Sequence, residues 1–191
     1  MSAAPGHGAE KSARRGGEKE WLMGDSAGAA DAQDSMDKLQ LAELLAVLSS
    51  AVDRADRDRI ASCYTEDSYD DHGTFQGTGQ AFADFVCQPG PMSSMHHLLG
   101  QSVFDVRGDE AWGETFYVFH GTAGSAQVAG HGRYVDYFRR IGRTWKLAYR
   151  RVVPDAVPAG DDPAAYWQPR RDVDDPSYDR RRRPDKSPGD S

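Results

Sequence analysis

The 191-residue chain has no apolar run approaching the ~20 residues that a membrane-spanning helix requires, so no membrane span is expected. Its N-terminus lacks a basic patch followed by an apolar stretch, and no secretory signal is expected either. Only two cysteines occur, Cys63 and Cys87, too few for a disulfide framework, and together these features point to a reducing cytoplasm. There is no phosphate-cradling glycine motif, nucleophile elbow or paired-cysteine motif, which disfavours nucleotide cofactors and serine or cysteine hydrolase chemistry. No cofactor is expected. Positive charge is outnumbered: 23 Lys and Arg against 30 Asp and Glu give a net charge of −7, which argues against a nucleic-acid partner. The basic run Arg180 to Arg183 is flanked by Asp172, Asp174, Asp175, Asp179 and Asp185, as in a solvated tail.

The chain is long enough for one domain with a proper core. Residues 1–33 are rich in Ala, Gly, Ser, Lys and Glu, with Trp21, Leu22 and Met23 as the one apolar spot, and read as a disordered extension. From Asp155 onward, Pro, Gly and Asp break regular structure, so 155–191 reads as a polar tail, largely disordered, on which Tyr166 and Trp167 are the residues able to pack back. The domain is therefore placed at 34–154.

Within it, Leu41, Leu45, Leu48 and Val52 recur at helical spacing and predict a helix over 36–53, with Asp34 or Ser35 as N-cap. A short helix over 56–64 and a third over 80–87 follow, separated by a strand at 68–72 and a turn marked by Gly73 and Gly77. After Gln88-Pro89-Gly90-Pro91 the hydrophobic period changes to 2. Strands are predicted over 94–107, 110–121, 126–140 and 144–153, with hairpin turns at Gly108-Asp109 and Gly142-Arg143. Helices first and an antiparallel meander second define an α+β fold: a cone-shaped barrel of three N-terminal helices on a curved, mostly antiparallel sheet. The apolar interior of such a cone suits a hydrophobic small molecule, and the apolar outer face suits a homodimer or higher oligomer.

Two adjacent histidines, His96 and His97, stand among apolar residues in a chain with six histidines in all. Neighbours on a strand face opposite ways, so only one of them can face a given cavity. Simple alternation groups His97 with Met95, Leu99 and Val103, and His96 with Leu98, Phe104 and Val106. Pairing across Gly142-Arg143 sets residue 150 opposite 135 or 136, which makes Asp136 an ion-pair partner for Arg150. Asp70, Asp71 and His72 are the most metal-like cluster, but consecutive strand residues splay apart and no second His or Cys recurs at ligand spacing, so no metal is expected. His72 is placed at a turn or at the cavity mouth, and Tyr64 and Tyr134 are candidate hydrogen-bond donors inside it.

Five strings carry a resemblance: 52–56 (VDRAD), 71–77 (DHGTFQG), 97–101 (HLLGQ), 132–136 (GRYVD) and 145–153 (WKLAYRRVV). In their order and spacing, the region 36–154 resembles the nuclear transport factor 2-like superfamily, and within it the SnoaL-like group of polyketide cyclases, dehydratases and isomerases. The resemblance implies a histidine base on a strand, oriented by an aspartate at the end of the first helix. Those positions are His97 and Asp53 here, with Gln101 four residues on as the polar neighbour, and Arg150 as the pocket arginine that steadies developing negative charge. Tyr64, His72, Tyr134 and Asp136 are then the expected substrate-lining residues. An imidazole held by a buried carboxylate is a suitable base for elimination or enolisation at neutral pH, since the carboxylate fixes its tautomer. The implied activity is a cofactor-independent dehydratase, isomerase or cyclase acting on a polyketide or steroid-like ketone. The alternative is a non-catalytic ligand-binding or assembly module of the same fold.

Overall fold

The computed structural model describes residues 17–156, 162, 164, 166 and 168–179, with side chains described from Gly28 onward except at Pro176 and Asp179. The chain divides into two compact units, Met1–Met36 and Asp37–Ser191. Helix α1 (Gly17–Asp53) supplies all the described structure of the first unit and continues into the second. Residues 17–33, expected to be disordered, are thus helical: their Ala, Glu, Lys and Gln content carries high intrinsic helix propensity without an apolar face. Ser35, expected as an N-cap, lies mid-helix instead, and its hydroxyl donates to the Asp31 carbonyl one turn back at 2.9 Å. Residues 1–16 lie outside the described residues.

In the second unit the remainder of α1 buries Leu41, Leu45 and Leu48 against Ile60 of α2 (Arg57–Ser62), Phe82 of α3 (Gly79–Val86) and Phe138, Trp145 and Leu147 of the sheet. Each such side chain contributes about 1.5–3 kcal/mol on burial. Asp56 caps α2 by accepting from the Arg59 amide, and Thr78 caps α3 by accepting from the Ala81 amide, both at 3.2 Å. Gly79 opens α3 because a Cβ there would sit about 2.1 Å from the Tyr64 ring, which occupies that space.

The sheet comprises β1 (Tyr64–Asp71), β2 (Gln76–Gly77), β3 (Met92–Arg107), β4 (Glu110–Ala123), β5 (Ala126–Ile141) and β6 (Thr144–Pro154). Its order is β2-β1-β6-β5-β4-β3, with every pairing antiparallel except β1 on β6. The expected α+β class and strand sequence are observed, as a curved, open sheet carrying the helices. Two-residue β2 is too short to show a period, and so left no mark in the sequence pattern.

The register of β3 on β4 shifts between Leu99 and Ser102, which adds a residue to β3. The bulge reverses the alternation beyond it. Phe104 and Val106 therefore share the helix-facing side with His97 and Leu99 and pack on the main core, while Val103 turns outward. The uniform alternation expected across 94–107 fails at this point. Gln101 falls in the bulge and is exposed.

Asp37 joins the helix to the sheet. Its carboxylate accepts from two Arg140 guanidinium nitrogens at 2.7 and 2.8 Å and from the Trp145 indole N–H at 3.2 Å, and Arg140 lies 4.4 Å over the Trp145 ring. Asp37→Ala removes the carboxylate shared by Arg140 and Trp145 while Arg140 keeps Asp109 at 3.1 Å, so it is expected to cost about 1–3 kcal/mol in urea-unfolding stability. A loss below about 0.5 kcal/mol would show the pair to be incidental.

The tail is more ordered than expected. Arg133 donates to Asp175 at 2.8 Å, to Ser177 at 3.2 Å and to Asp155 at 3.2 Å, and Asp175 and Ser177 are almost fully buried. A charge-assisted cluster, rather than apolar burial, fixes the segment around the 3₁₀ turn Pro176–Asp179. Tyr166 packs on Gly73, where a Cβ would come within 2.4 Å of its ring. Trp167 and the run Arg180 to Arg183 lie outside the described residues.

Candidate functional site

The strand register places one row of side chains on the helix-facing side of the sheet: His97 and Leu99 of β3, Tyr117 and Phe119 of β4, Tyr134 and Asp136 of β5, and Arg150 and Val152 of β6. His96 faces the other way and is exposed. The row is mostly aromatic. Tyr117 stacks on Tyr134 at 4.4 Å between ring centroids, and the His97 and Phe119 rings lie 5.8 Å apart.

Asp53, the last residue of α1, meets His97 across 44 residues of sequence. His97 Nδ1 lies 2.6 Å from Asp53 Oδ1, and the His97 backbone N–H donates to Asp53 Oδ2 at 3.0 Å. Both carboxylate oxygens are therefore committed to one residue, and both side chains are nearly buried, 10% and 12% exposed. An ionised carboxylate only accepts, so Nδ1 carries the proton and Nε2 is left with its lone pair. Nε2 makes no hydrogen bond among the described residues. Burial lowers the His97 pKa below the ordinary 6.5, outweighing Asp53, which raises it. The imidazole is thus neutral at neutral pH and able to accept a proton.

This sets an expectation for pH. If His97 acts in its neutral form, the acidic limb of kcat/KM falls at a pKa below 6.5. Stability follows the same sign. The unfolded chain binds the proton near 6.5 and the folded chain only lower, so the contribution of His97 is whole above 6.5 and is lost as pH falls through the window beneath it. A limb at or above 6.5 would contradict the burial effect.

Arg150 pairs with Asp136 through two parallel hydrogen bonds, Nε to Oδ1 and Nη2 to Oδ2, both 2.8 Å, with both residues almost wholly buried. Its guanidinium lies 3.9 Å over the Tyr134 ring. Burial works against the charge, yet Asp136 holds the Arg150 pKa above its ordinary value, while burial pushes the Asp136 pKa up against the pull of Arg150. Arg150 therefore retains the Nη1 hydrogens and the second hydrogen of Nη2 for another partner, while each Asp136 oxygen already accepts from Arg150. The expectation that Asp136 lines the substrate space is revised: it supports Arg150.

Tyr64 is revised in the same way. Its ring is buried beneath Gly79, and its hydroxyl donates to Asp70 Oδ2 at 2.5 Å. The other oxygen of the fully buried Asp70 meets His72 Nδ1. Residues 70 and 72 share one side of the strand, so Asp70 was identifiable as the partner of His72 from period-2 spacing, while the metal-like reading of three consecutive residues obscured it. His72 stacks on Phe82 at 4.4 Å, lies 6.4 Å from Tyr134 and remains partly exposed. Among the described residues no three His, Cys, Asp or Glu side chains converge as metal ligands.

Five groups keep an unused hydrogen-bonding position among the described residues: His97 Nε2, His72 Nε2, Arg150 Nη1 and the hydroxyls of Tyr134 and Tyr117. Burial pushes both tyrosine pKa values up, so these hydroxyls remain donors. Tyr117 was not anticipated, since its place beside Tyr134 depends on the β4–β5 register. The arrangement combines a neutral base with neutral and cationic donors on an aromatic floor.

A family model described as the SnoaL-like domain matches residues 33–151. Among curated proteins nothing matches. Similar solved structures include a hexachlorocyclohexane dehydrochlorinase (LinA) type 2, 19% identical, TM-score 0.61, covering 69% of this chain and 95% of that one. Another is a candidate scytalone dehydratase from Novosphingobium aromaticivorans, 13% identical, TM-score 0.60, covering 68% and 90%. A third is a single-residue variant of Rv3472, a Mycobacterium tuberculosis protein of unknown function, 23% identical, TM-score 0.57, covering 64% and 78%. At these identities the likeness is one of fold. Among the described residues no helix is long and apolar enough to cross a membrane.

Proposed function

Because the chain belongs to the SnoaL-like domain family, we propose that it is a cofactor-independent lyase or isomerase of the dehydratase or cyclase type, acting on a hydrophobic ketone. The observation that carries this reading is the Asp53–His97 contact at 2.6 Å, which leaves Nε2 unpaired. Nε2 takes the proton from a carbon next to the substrate carbonyl. The C–H pair moves toward the carbonyl oxygen, where the Tyr134 hydroxyl and Arg150 Nη1 supply hydrogen bonds to the developing enolate. From the enolate, expulsion of a β-substituent gives an unsaturated ketone, reprotonation elsewhere gives an isomer, and attack on a second carbonyl gives a ring. The aromatic floor of Tyr117, Tyr134 and Phe119 favours a flat apolar substrate over a small polar one.

The test is exchange of α-hydrogens in deuterated water, followed by mass spectrometry over a panel of cyclic and polycyclic ketones. Wild type is expected to catalyse exchange on at least one member, and His97→Gln to abolish it. Binding without exchange, or exchange indifferent to His97→Gln, would favour a ligand-binding module.

A further inference from the structure

We infer that Tyr117 is a positioning residue, whose ring fixes the Tyr134 hydroxyl at the place where the enolate oxygen forms. This rests on the reading of His97 as base and Tyr134 as donor, and adds to it the part that holds the donor still.

Three neighbouring strands contribute to one stack. Tyr117 stands on β4, Tyr134 on β5 and Arg150 on β6, so the Tyr134 ring lies between the other two. Tyr117 covers it at 4.4 Å between centroids, with the planes 14° apart, and the Arg150 guanidinium lies over it at 3.9 Å. The stack runs diagonally across the strands, because the residue directly opposite Tyr117 is Gly132 and not Tyr134. Glycine makes that lean possible: a Cβ at position 132 would meet the Val153 carbonyl oxygen at 2.4 Å and the Tyr117 hydroxyl oxygen at 3.1 Å. Arg150 is itself held, since Asp136 takes two of its hydrogen bonds. With a neighbour on each face, the Tyr134 ring keeps one orientation.

The two phenol hydroxyls serve different surroundings. Among the described residues neither makes a hydrogen bond, and neither is one of the fully enclosed oxygens left without a partner, so both open on accessible space. Burial raises both pKa values, so both stay protonated. After burial, the Tyr134 hydroxyl responds to Arg150, Tyr117, Asp136 and Asp70, groups inside the site. The Tyr117 hydroxyl responds to Tyr166 and Asp155 and only then to Arg150. Tyr134 thus presents its O–H beside the guanidinium, while Tyr117 contributes a ring face and directs its own O–H toward the strand end at Gly132.

Holding the donor in advance matters because a mobile hydroxyl must be ordered as the charge develops, and a fixed one need not be. A misplacement of about 1 Å in such a group costs up to about 10²-fold in rate. Tyr117 touches no reacting atom in this scheme and acts through Tyr134 alone.

A double-mutant cycle on Tyr117 and Tyr134 tests this, read by α-hydrogen exchange on a ketone from the panel. A second readout, independent of turnover, is the absorbance of bound 4-nitrophenol, whose phenolate oxygen mimics that of the enolate. Tyr134→Phe is expected to lower kcat about 10²-fold, and Tyr117→Leu about tenfold with KM little changed. Tyr117→Phe keeps the ring face and is expected to recover most of what Tyr117→Leu loses. Tyr117→Leu added to Tyr134→Phe is expected to cost nothing further, since the ring it held no longer carries a donor. The ionisation constant of bound 4-nitrophenol is expected to fall about tenfold in Tyr117→Leu. Tyr117→Met serves where Tyr117→Leu does not fold. Losses that add in the cycle, or a Tyr117→Phe that falls as far as Tyr117→Leu, would overturn the positioning role and leave the His97 reading standing. If wild type exchanges no ketone, or if His97→Gln retains exchange, the base reading fails. The nitrophenol readout then decides the stack alone, and equal ionisation on wild type and Tyr117→Leu overturns it.

Discussion

Asp53→Asn is expected to lower kcat by about 10²–10⁴-fold while leaving the fold intact. The size of the effect follows from the double contact. Both carboxylate oxygens serve His97, one accepting from its backbone N–H and the other from Nδ1–H. An asparagine has one accepting oxygen and one donating amide. If the oxygen keeps the backbone N–H, the amide faces Nδ1, Nδ1 must become an acceptor, and the proton moves to Nε2, the atom required as base. If the asparagine flips, two donors oppose each other at the backbone. Either arrangement removes the competent tautomer or the hold on it. The check is kcat with a ketone identified in the exchange screen, together with the thermal midpoint. Unchanged kcat would remove the carboxylate from the mechanism.

Arg150→Met is expected to cost about 3–5 kcal/mol in urea-unfolding stability, the largest folding effect expected at this site. The methionine replaces the stem of the arginine but leaves Asp136 in a buried position with its paired cation gone. It also removes the guanidinium from the Tyr134 face. Replacing both partners, Arg150→Met with Asp136→Leu, is expected to regain much of the loss, because no charge is then stranded. Activity separates the roles: the double variant folds but lacks Nη1 at the site, so kcat on a ketone substrate falls even where stability is restored. A single-variant cost below about 1 kcal/mol would show that the pair is solvated and its burial without consequence.

The elements carrying most of the chemistry were legible because they depend on short-range patterns. Leu41, Leu45 and Leu48 mark the helix that ends at Asp53, and strand alternation separates His97 from His96. Gly142-Arg143 sets the hairpin register to within one residue, and the irregularity between Tyr137 and Phe138 then brings Arg150 opposite Asp136. What escaped depends on structure without a local signature. The bulge after Leu99 reverses the sides of Val103 and Phe104, and nothing in the composition of Gly100-Gln101-Ser102 requires it. The clasp of Arg133 on Asp155, Asp175 and Ser177 joins residues up to 44 apart through charge in a segment whose composition reads as disorder. The helix through residues 17–33 arises from propensity without amphipathicity, which hydrophobic periodicity cannot detect. Asp70 was visible but misread, because its partnership with His72 depends on the i,i+2 relation rather than on adjacency.

The central claim is that Asp53 holds His97 as a neutral imidazole with its proton on Nδ1 and a bare Nε2. Nitrogen-15 NMR of the histidine side chains, followed through a pH titration and assigned with His97→Gln, reads this directly. The expected result near neutral pH is a protonated Nδ1 and an unprotonated Nε2, with a midpoint below 6.5. A proton on Nε2 in the neutral ring, or a midpoint above 6.5, would contradict it.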